Sequence, residues 1–139
     1  MDVATGLIRL SGIVQGIYAR VSERHQLTPV QAKLLCVLLE GPRGMADLAR
    51  FFGVEKAALT GLMDRVERGG LAQREAVPGD RRALQVTLTD AGRNAAIAFH
   101  GEVSEELNRL TSWLEPRDQE RLRTTVAEIV ALCLPSSRP

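Results

Sequence analysis

Asp80-Arg81-Arg82-Ala83-Leu84-Gln85-Val86-Thr87-Leu88-Thr89 decides the fold of this chain. Two adjacent arginines run straight into an alternating segment. Leu84, Val86 and Leu88 point one way, and Ala83, Gln85 and Thr87 the other. That period of two is the signature of a half-buried strand. Leu71 to Ala76 supplies a partner strand, and Pro78-Gly79 supplies the turn between them. The pair predicts a short hairpin holding two guanidiniums at its tip.

Immediately upstream, Met45 to Phe52 is predicted as a short helix ended by Gly53, and Glu55 to Arg68 as a second ended by Gly69-Gly70. A helix-turn-helix needs an apolar-plus-small pair on its first helix, a glycine in the turn and apolar residues facing back from the second. Leu48-Ala49, Gly53 and then Leu59 with Leu62 fill those positions. With the hairpin following at once, the segment predicts a winged helix-turn-helix. The outward face of Glu55 to Arg68 is read as Lys56, Ala57, Thr60, Gly61, Asp64 and Arg65, set to lie in a DNA major groove. Lys56 and Arg65 suit phosphate or guanine, and Thr60 can donate to a phosphate. Ala57 and Gly61 permit close approach, whereas a merely solvated face would favour longer polar residues. Arg81 and Arg82 suit a minor groove, where negative potential attracts arginine. Their alternative is a solvated turn in which Asp80 pairs with one of them, and such a pair contributes only about 0–1 kcal/mol.

The flanks are helical. Ala4 to Glu23 carries a stripe of Leu7, Leu10, Val14, Ile17 and Val21. Thr28-Pro29-Val30-Gln31 is a capping box with proline at the first helical position, opening a helix that stops near Gly41-Pro42. Thr89-Asp90 opens another that runs to about Trp113. Glu115-Pro116 starts the last, with Leu122, Val126, Ile129, Val130 and Leu132, and Pro135 to Pro139 is expected to be a frayed tail. The predicted fold class is therefore mainly α with a small β-hairpin wing and six helices. Residues 27–89 form the winged helix-turn-helix lobe, and 1–26 with 90–139 form a helical region. Apolar faces at both ends exceed what a 139-residue monomer covers, so a homodimer through these helices is expected.

Composition sets the remaining bounds. With 45% hydrophobic and 25% charged residues the chain is that of one globular domain, and no apolar run approaches the span of a bilayer. No export signal is evident, so a cytoplasmic location without a membrane partner is expected. Net charge is +1, but from Arg50 to Arg82 seven basic side chains stand against five acidic. Placement rather than total charge carries the DNA argument. Cys36, Cys133, His25 and His100 give no metal spacing, and no cofactor is expected. No nucleophile–base constellation or phosphate loop is present, so the chain is not read as an enzyme.

Leu59-Thr60-Gly61-Leu62-Met63-Asp64-Arg65-Val66-Glu67-Arg68 with Gly70-Leu71, and Asp80-Arg81-Arg82 followed by Val86-Thr87-Leu88-Thr89-Asp90-Ala91-Gly92, resemble the recognition helix and wing of the multiple-antibiotic-resistance regulator (MarR) family. The likeness extends over nearly the whole chain in element order. It implies a dimeric, sequence-specific transcriptional regulator on a pseudo-palindromic double-stranded operator, acting as a repressor released by a small, often aromatic, effector. It makes Arg82 the wing arginine, oriented by Asp80, and places Thr60 and its neighbours on the major groove. Two positions depart from the pattern: Glu55 stands where Ser, Thr or Asp often caps the recognition helix, and Ala57-Ala58 where hydroxylated residues are frequent. Tyr18 and His100, with Trp113, are amphipathic side chains on helices expected to line an effector crevice, and ordinary packing is their alternative. Two other readings stay open: a winged-helix module that binds protein without reading DNA, and a thiol sensor through Cys36.

Overall fold

The computed structural model of the chain describes residues 1–133; the expected frayed tail, Pro135 to Pro139, lies outside them. The order is α1 (Val3–Arg24), α2 (Pro29–Leu38), β1 (Arg43–Gly44), α3 (Met45–Phe52), α4 (Lys56–Arg68), β2 (Ala72–Val77), β3 (Asp80–Leu88), α5 (Asp90–Arg109) and α6 (Pro116–Cys133). This is the winged helix-turn-helix arrangement, mainly helical with a small antiparallel sheet.

Short polar side chains set the helix starts. The Asp2 carboxylate accepts the Thr5 N–H at 2.9 Å to cap α1. Thr28 and Gln31 form both halves of the capping box at α2, at 3.2 and 3.1 Å. Glu55 flanks α4 in an extended conformation and makes no side-chain cap bond, as its long side chain suggests. α2 ends at Leu38, somewhat before the Gly41-Pro42 stop expected of it.

The hairpin is part of a three-stranded sheet, in the order β1-β3-β2. Arg43 and Gly44 pair with Val86 and Gln85 and add the third strand. Two residues are too few to show a period, so the sequence reading saw only two strands. β2 begins at Ala72 rather than Leu71 and runs antiparallel to β3.

Two compact units divide the described chain. The first, Met1–Ser104, holds α1 to α4, the sheet and most of α5. Its core gathers Leu34, Leu35 and Leu38 of α2, Leu48 of α3, Leu59, Leu62, Met63 and Val66 of α4, Ala72, Val86 and Ala96. Burying a leucine of this kind is worth about 1.5–3 kcal/mol, so this cluster supplies the main force holding α4 in place. α1 buries Ile17 and Val21, but leaves Leu7, Ile8, Leu10 and Ile13 exposed. The second unit, from Glu105 onward, carries the end of α5 and α6. There the Trp113 indole N–H donates to the Leu110 carbonyl at 2.9 Å, and the Gln119 amide to the Leu114 carbonyl at 2.9 Å. Leu122, Val126, Ile129 and Val130 of α6 are all exposed. Among the described residues, no helix is long and apolar enough to cross a membrane.

Candidate nucleic-acid interface

Gly53 ends α3 in the left-handed region at φ 61°, and the Val54 N–H returns to the Ala49 carbonyl at 3.1 Å. That tight reversal sets α4 across α3. Because Leu59, Leu62, Met63 and Val66 are buried, helical spacing places Ala57, Gly61, Asp64 and Arg68 opposite them. Lys56, Ala57 and Arg65 are exposed, and Gly61 is half-buried. Arg68 belongs to the outward stripe and was not among the expected contacts, although its spacing from Ala57 and Gly61 carried the signal. Thr60 differs from expectation: its hydroxyl donates to the Lys56 carbonyl at 2.9 Å, so its proton is already engaged. What it offers outward is an acceptor.

At the wing, Val77 pairs with Asp80 around a Pro78-Gly79 turn in which Gly79 has φ 85°. A left-handed residue there costs glycine least. The next pair is Ala76 with Leu84, so Arg81, Arg82 and Ala83 fall in an irregular stretch of the ladder. Such a bulge re-aims side chains away from the pleat. The Asp80 carboxylate accepts the Arg82 backbone N–H at 3.0 Å, holding the main chain rather than the guanidinium. Both guanidiniums lie on exposed residues. Among the described residues, Lys56, Arg65, Arg81 and Arg82 form no salt bridge, so none has to leave a protein carboxylate to meet a phosphate.

Arg74 of β2 does have partners, and they lie on α4. Its guanidinium meets Glu67 at 2.6 Å and Asp64 at 2.7 Å. Asp64, read from the sequence as part of the DNA face, is thus committed to the sheet. The hydrogen bonds from Arg74 hold the Glu67 carboxyl below its ordinary value of 4.5. A carboxyl with a lowered folded pKa contributes stability present above its unfolded pKa and lost as pH falls through the folded one. Urea unfolding at about pH 6 and about pH 3.5 should therefore show a larger acid loss for the parent than for Glu67→Gln. Equal losses would disconnect Glu67 from acid stability.

The exit of α4 is knitted to the start of α5. The Thr89 hydroxyl accepts the Gly92 N–H at 3.0 Å and donates to the Gly70 carbonyl at 2.6 Å. The Thr89 N–H reaches the Leu71 carbonyl at 3.1 Å. Gly92 packs directly on this knot: a Cβ there would lie 1.7 Å from the Leu71 oxygen.

The two expected effector residues stand in different settings. Tyr18 is half-buried and meets buried Phe99 edge-on at 4.9 Å. His100 is exposed, with its ring 3.4 Å from the Ser104 hydroxyl. No hydrogen bond or ring contact joins Tyr18 to His100 among the described residues. Sequence reasoning passed over His25, whose Nε2 meets Glu102 at 2.6 Å and whose ring packs on Phe99 at 5.9 Å. Trp113 is exposed. Burial pushes the Cys36 thiol up, against a smaller opposing pull from the Tyr18 hydroxyl. No three His, Cys, Asp or Glu side chains are grouped to hold a metal ion among the described residues.

A helix-turn-helix and a wing, with exposed cations on both, make up a lobe whose fold is shared with known proteins. The MarR family model matches residues 25–83. That match spans the helix-turn-helix and most of the wing, so the lobe is similar to that of MarR-family proteins. The Escherichia coli homoprotocatechuate degradative operon repressor is 25% identical over 132 residues, covering 94% of this chain and 89% of the relative. The Pseudomonas putida HTH-type transcriptional repressor NicR is 38% identical over 84 residues, 58% of this chain and 53% of the relative. Among solved structures, the transcriptional repressor CouR bound to a 23-mer DNA duplex superposes with a TM-score of 0.76 at 27% identity. That likeness covers 93% of this chain and 92% of CouR. NicR is an HTH-type transcriptional repressor and CouR a transcriptional repressor solved on DNA, and this chain is similar to both.

Proposed function

We propose that this chain is a dimeric repressor that lays α4 in the major groove and Arg82 in the adjacent minor groove of each operator half-site. The observation that carries this reading is the set of exposed cations, Lys56 and Arg65 on α4 and Arg81 and Arg82 at the wing, none of them in a salt bridge among the described residues. CouR, solved on a DNA duplex with this fold, supports the same docking. A half-site each for two copies requires recognition helices about 34–36 Å apart. The exposed apolar residues of α1 and α6 supply surfaces that a second copy covers, making 1–26 and 90–139 the dimerisation region around the 27–89 lobe.

Release by a small aromatic molecule completes the proposal. The relative named for a homoprotocatechuate degradative operon points to an aromatic acid. Tyr18 against Phe99 offers an aromatic wall, and His100 a polar group on α5. Such a ligand acts only through different affinities for the DNA-competent and incompetent states. A thiol switch at Cys36 gains no support, because partial burial pushes the thiol pKa up, away from the thiolate form that reacts.

Footprinting of the intergenic DNA beside the gene, followed by titration at several salt concentrations, tests the reading. Affinity should fall steeply with salt, since each neutralised phosphate releases about 0.9 counterion on B-DNA. Salt-insensitive binding would favour a protein partner instead. For the dimer, Val126→Glu with Ile129→Glu in the full chain is expected to sediment as a folded monomer with operator affinity reduced by about a hundredfold or more. A variant that still sedimented as a dimer would refute the α6 interface.

A further inference from the structure

Two elements reach DNA from this lobe, and their mutual angle decides whether both fit one duplex. The chain leaves α4 through Gly69-Gly70, and the Thr89 bonds that hold this exit stop at Gly70 and Leu71, before the wing strands begin. We propose that Arg74 is the positioning residue that sets the wing against the recognition helix, with Glu67 and Asp64 as its anchors. This rests on the reading of the wing as a DNA contact.

Arg74 sits in β2, an edge strand of the sheet, opposite Val86. Its backbone N–H donates to Glu67 Oε1 at 2.9 Å, tying the strand's main chain to the helix. Its Nε and one terminal nitrogen donate to Glu67 Oε2 at 3.1 and 2.6 Å, and the same terminal nitrogen reaches Asp64 Oδ1 at 2.7 Å. Both main chain and side chain of one strand residue are thereby held by two carboxylates one turn apart on α4. A planar guanidinium fixes direction as well as distance, which a lysine ammonium does not. The side chains of Arg74, Glu67 and Asp64 are 25%, 31% and 43% exposed. Pairs as open as these add little to stability. What the fork supplies is orientation. It also occupies the Asp64 charge, which otherwise faces outward beside the phosphates.

The test uses Arg74→Met and, as a milder change that keeps a cation, Arg74→Lys in the full-length protein. Residual dipolar couplings of amides 72–88 are compared with those of amides 56–68 without DNA. In the parent both sets are expected to fit one orientation; in the variants the wing set should depart from it, more for Met than for Lys. Wing couplings unchanged in both variants would overturn the proposal. The second readout is a double-mutant cycle with Arg82→Ala on the operator duplex recovered by footprinting. Arg82→Ala should cost about a hundredfold in the parent but less than about tenfold beside Arg74→Met, because a wandering wing seldom delivers its arginine. Full multiplicative costs would show that Arg74 acts independently of the wing and overturn it. If Arg82→Ala costs nothing in the parent while the couplings still shift in the Arg74 variants, the clasp stands and the minor-groove reading falls.

Discussion

Gly92→Ala is expected to destabilise the protein by about 3 kcal/mol or more, lowering its melting temperature by about 10 °C or more. A methyl group at this position would stand 1.7 Å from the Leu71 carbonyl oxygen and 2.7 Å from its carbon. The obstacle is backbone, so no rotamer change relieves it. Nor is Leu71 free to retreat. Its carbonyl accepts the Thr89 N–H at 3.1 Å, and its own N–H donates to Val66 at 3.2 Å. Moving it strains the exit of α4 and the start of β2 together. Operator binding should therefore suffer even at temperatures where the variant remains folded. Differential scanning calorimetry checks the first part, and a DNA titration well below the transition checks the second. A melting temperature within about 2 °C of the parent would show that the backbone relaxes around the methyl.

Arg82→Ala is expected to weaken operator binding by about tenfold per half-site, hence about a hundredfold for a dimer engaging two, at about 1.4 kcal/mol each. Dimerisation and thermal unfolding should be nearly unchanged, because the side chain is exposed and forms no salt bridge among the described residues. Arg81→Ala is the natural comparison. Asp80 binds the Arg82 backbone at 3.0 Å, which singles out Arg82 as the arginine whose main chain is held at the tip. Fluorescence anisotropy at one fixed salt concentration reads the difference. Unchanged affinity for Arg82→Ala would sink the wing assignment.

Local chemistry was legible in the sequence wherever the partners are close along the chain. The capping box of Thr28 and Gln31, the left-handed Gly53 and the failure of Glu55 to cap all follow from residues within a few positions of each other. The amphipathic stripes gave the helices and their order. Features that depend on distant pairing were not legible. β1 is too short to carry a period and exists only because Val86 and Gln85 are there to receive it. The alternation from Ala83 to Leu88 was visible, but the slip between the Ala76 and Val77 pairs was not. That slip takes Arg81 and Arg82 out of the regular ladder. In the composition, Arg74, Glu67 and Asp64 were three scattered charges until the fold brought strand and helix together.

The glycine pair after α4 looks like a hinge on paper, and a hinge would let the DNA-reading lobe drift from the helices that follow. Thr89 cancels it. By gripping Gly70 with its hydroxyl and Leu71 with its N–H while capping the first turn of α5, it removes the slack from the connection. The head of α5 is thereby joined by hydrogen bonds to the exit of α4 and the residue that leads into β2. The helix that follows the wing and the helix that precedes it share one anchor.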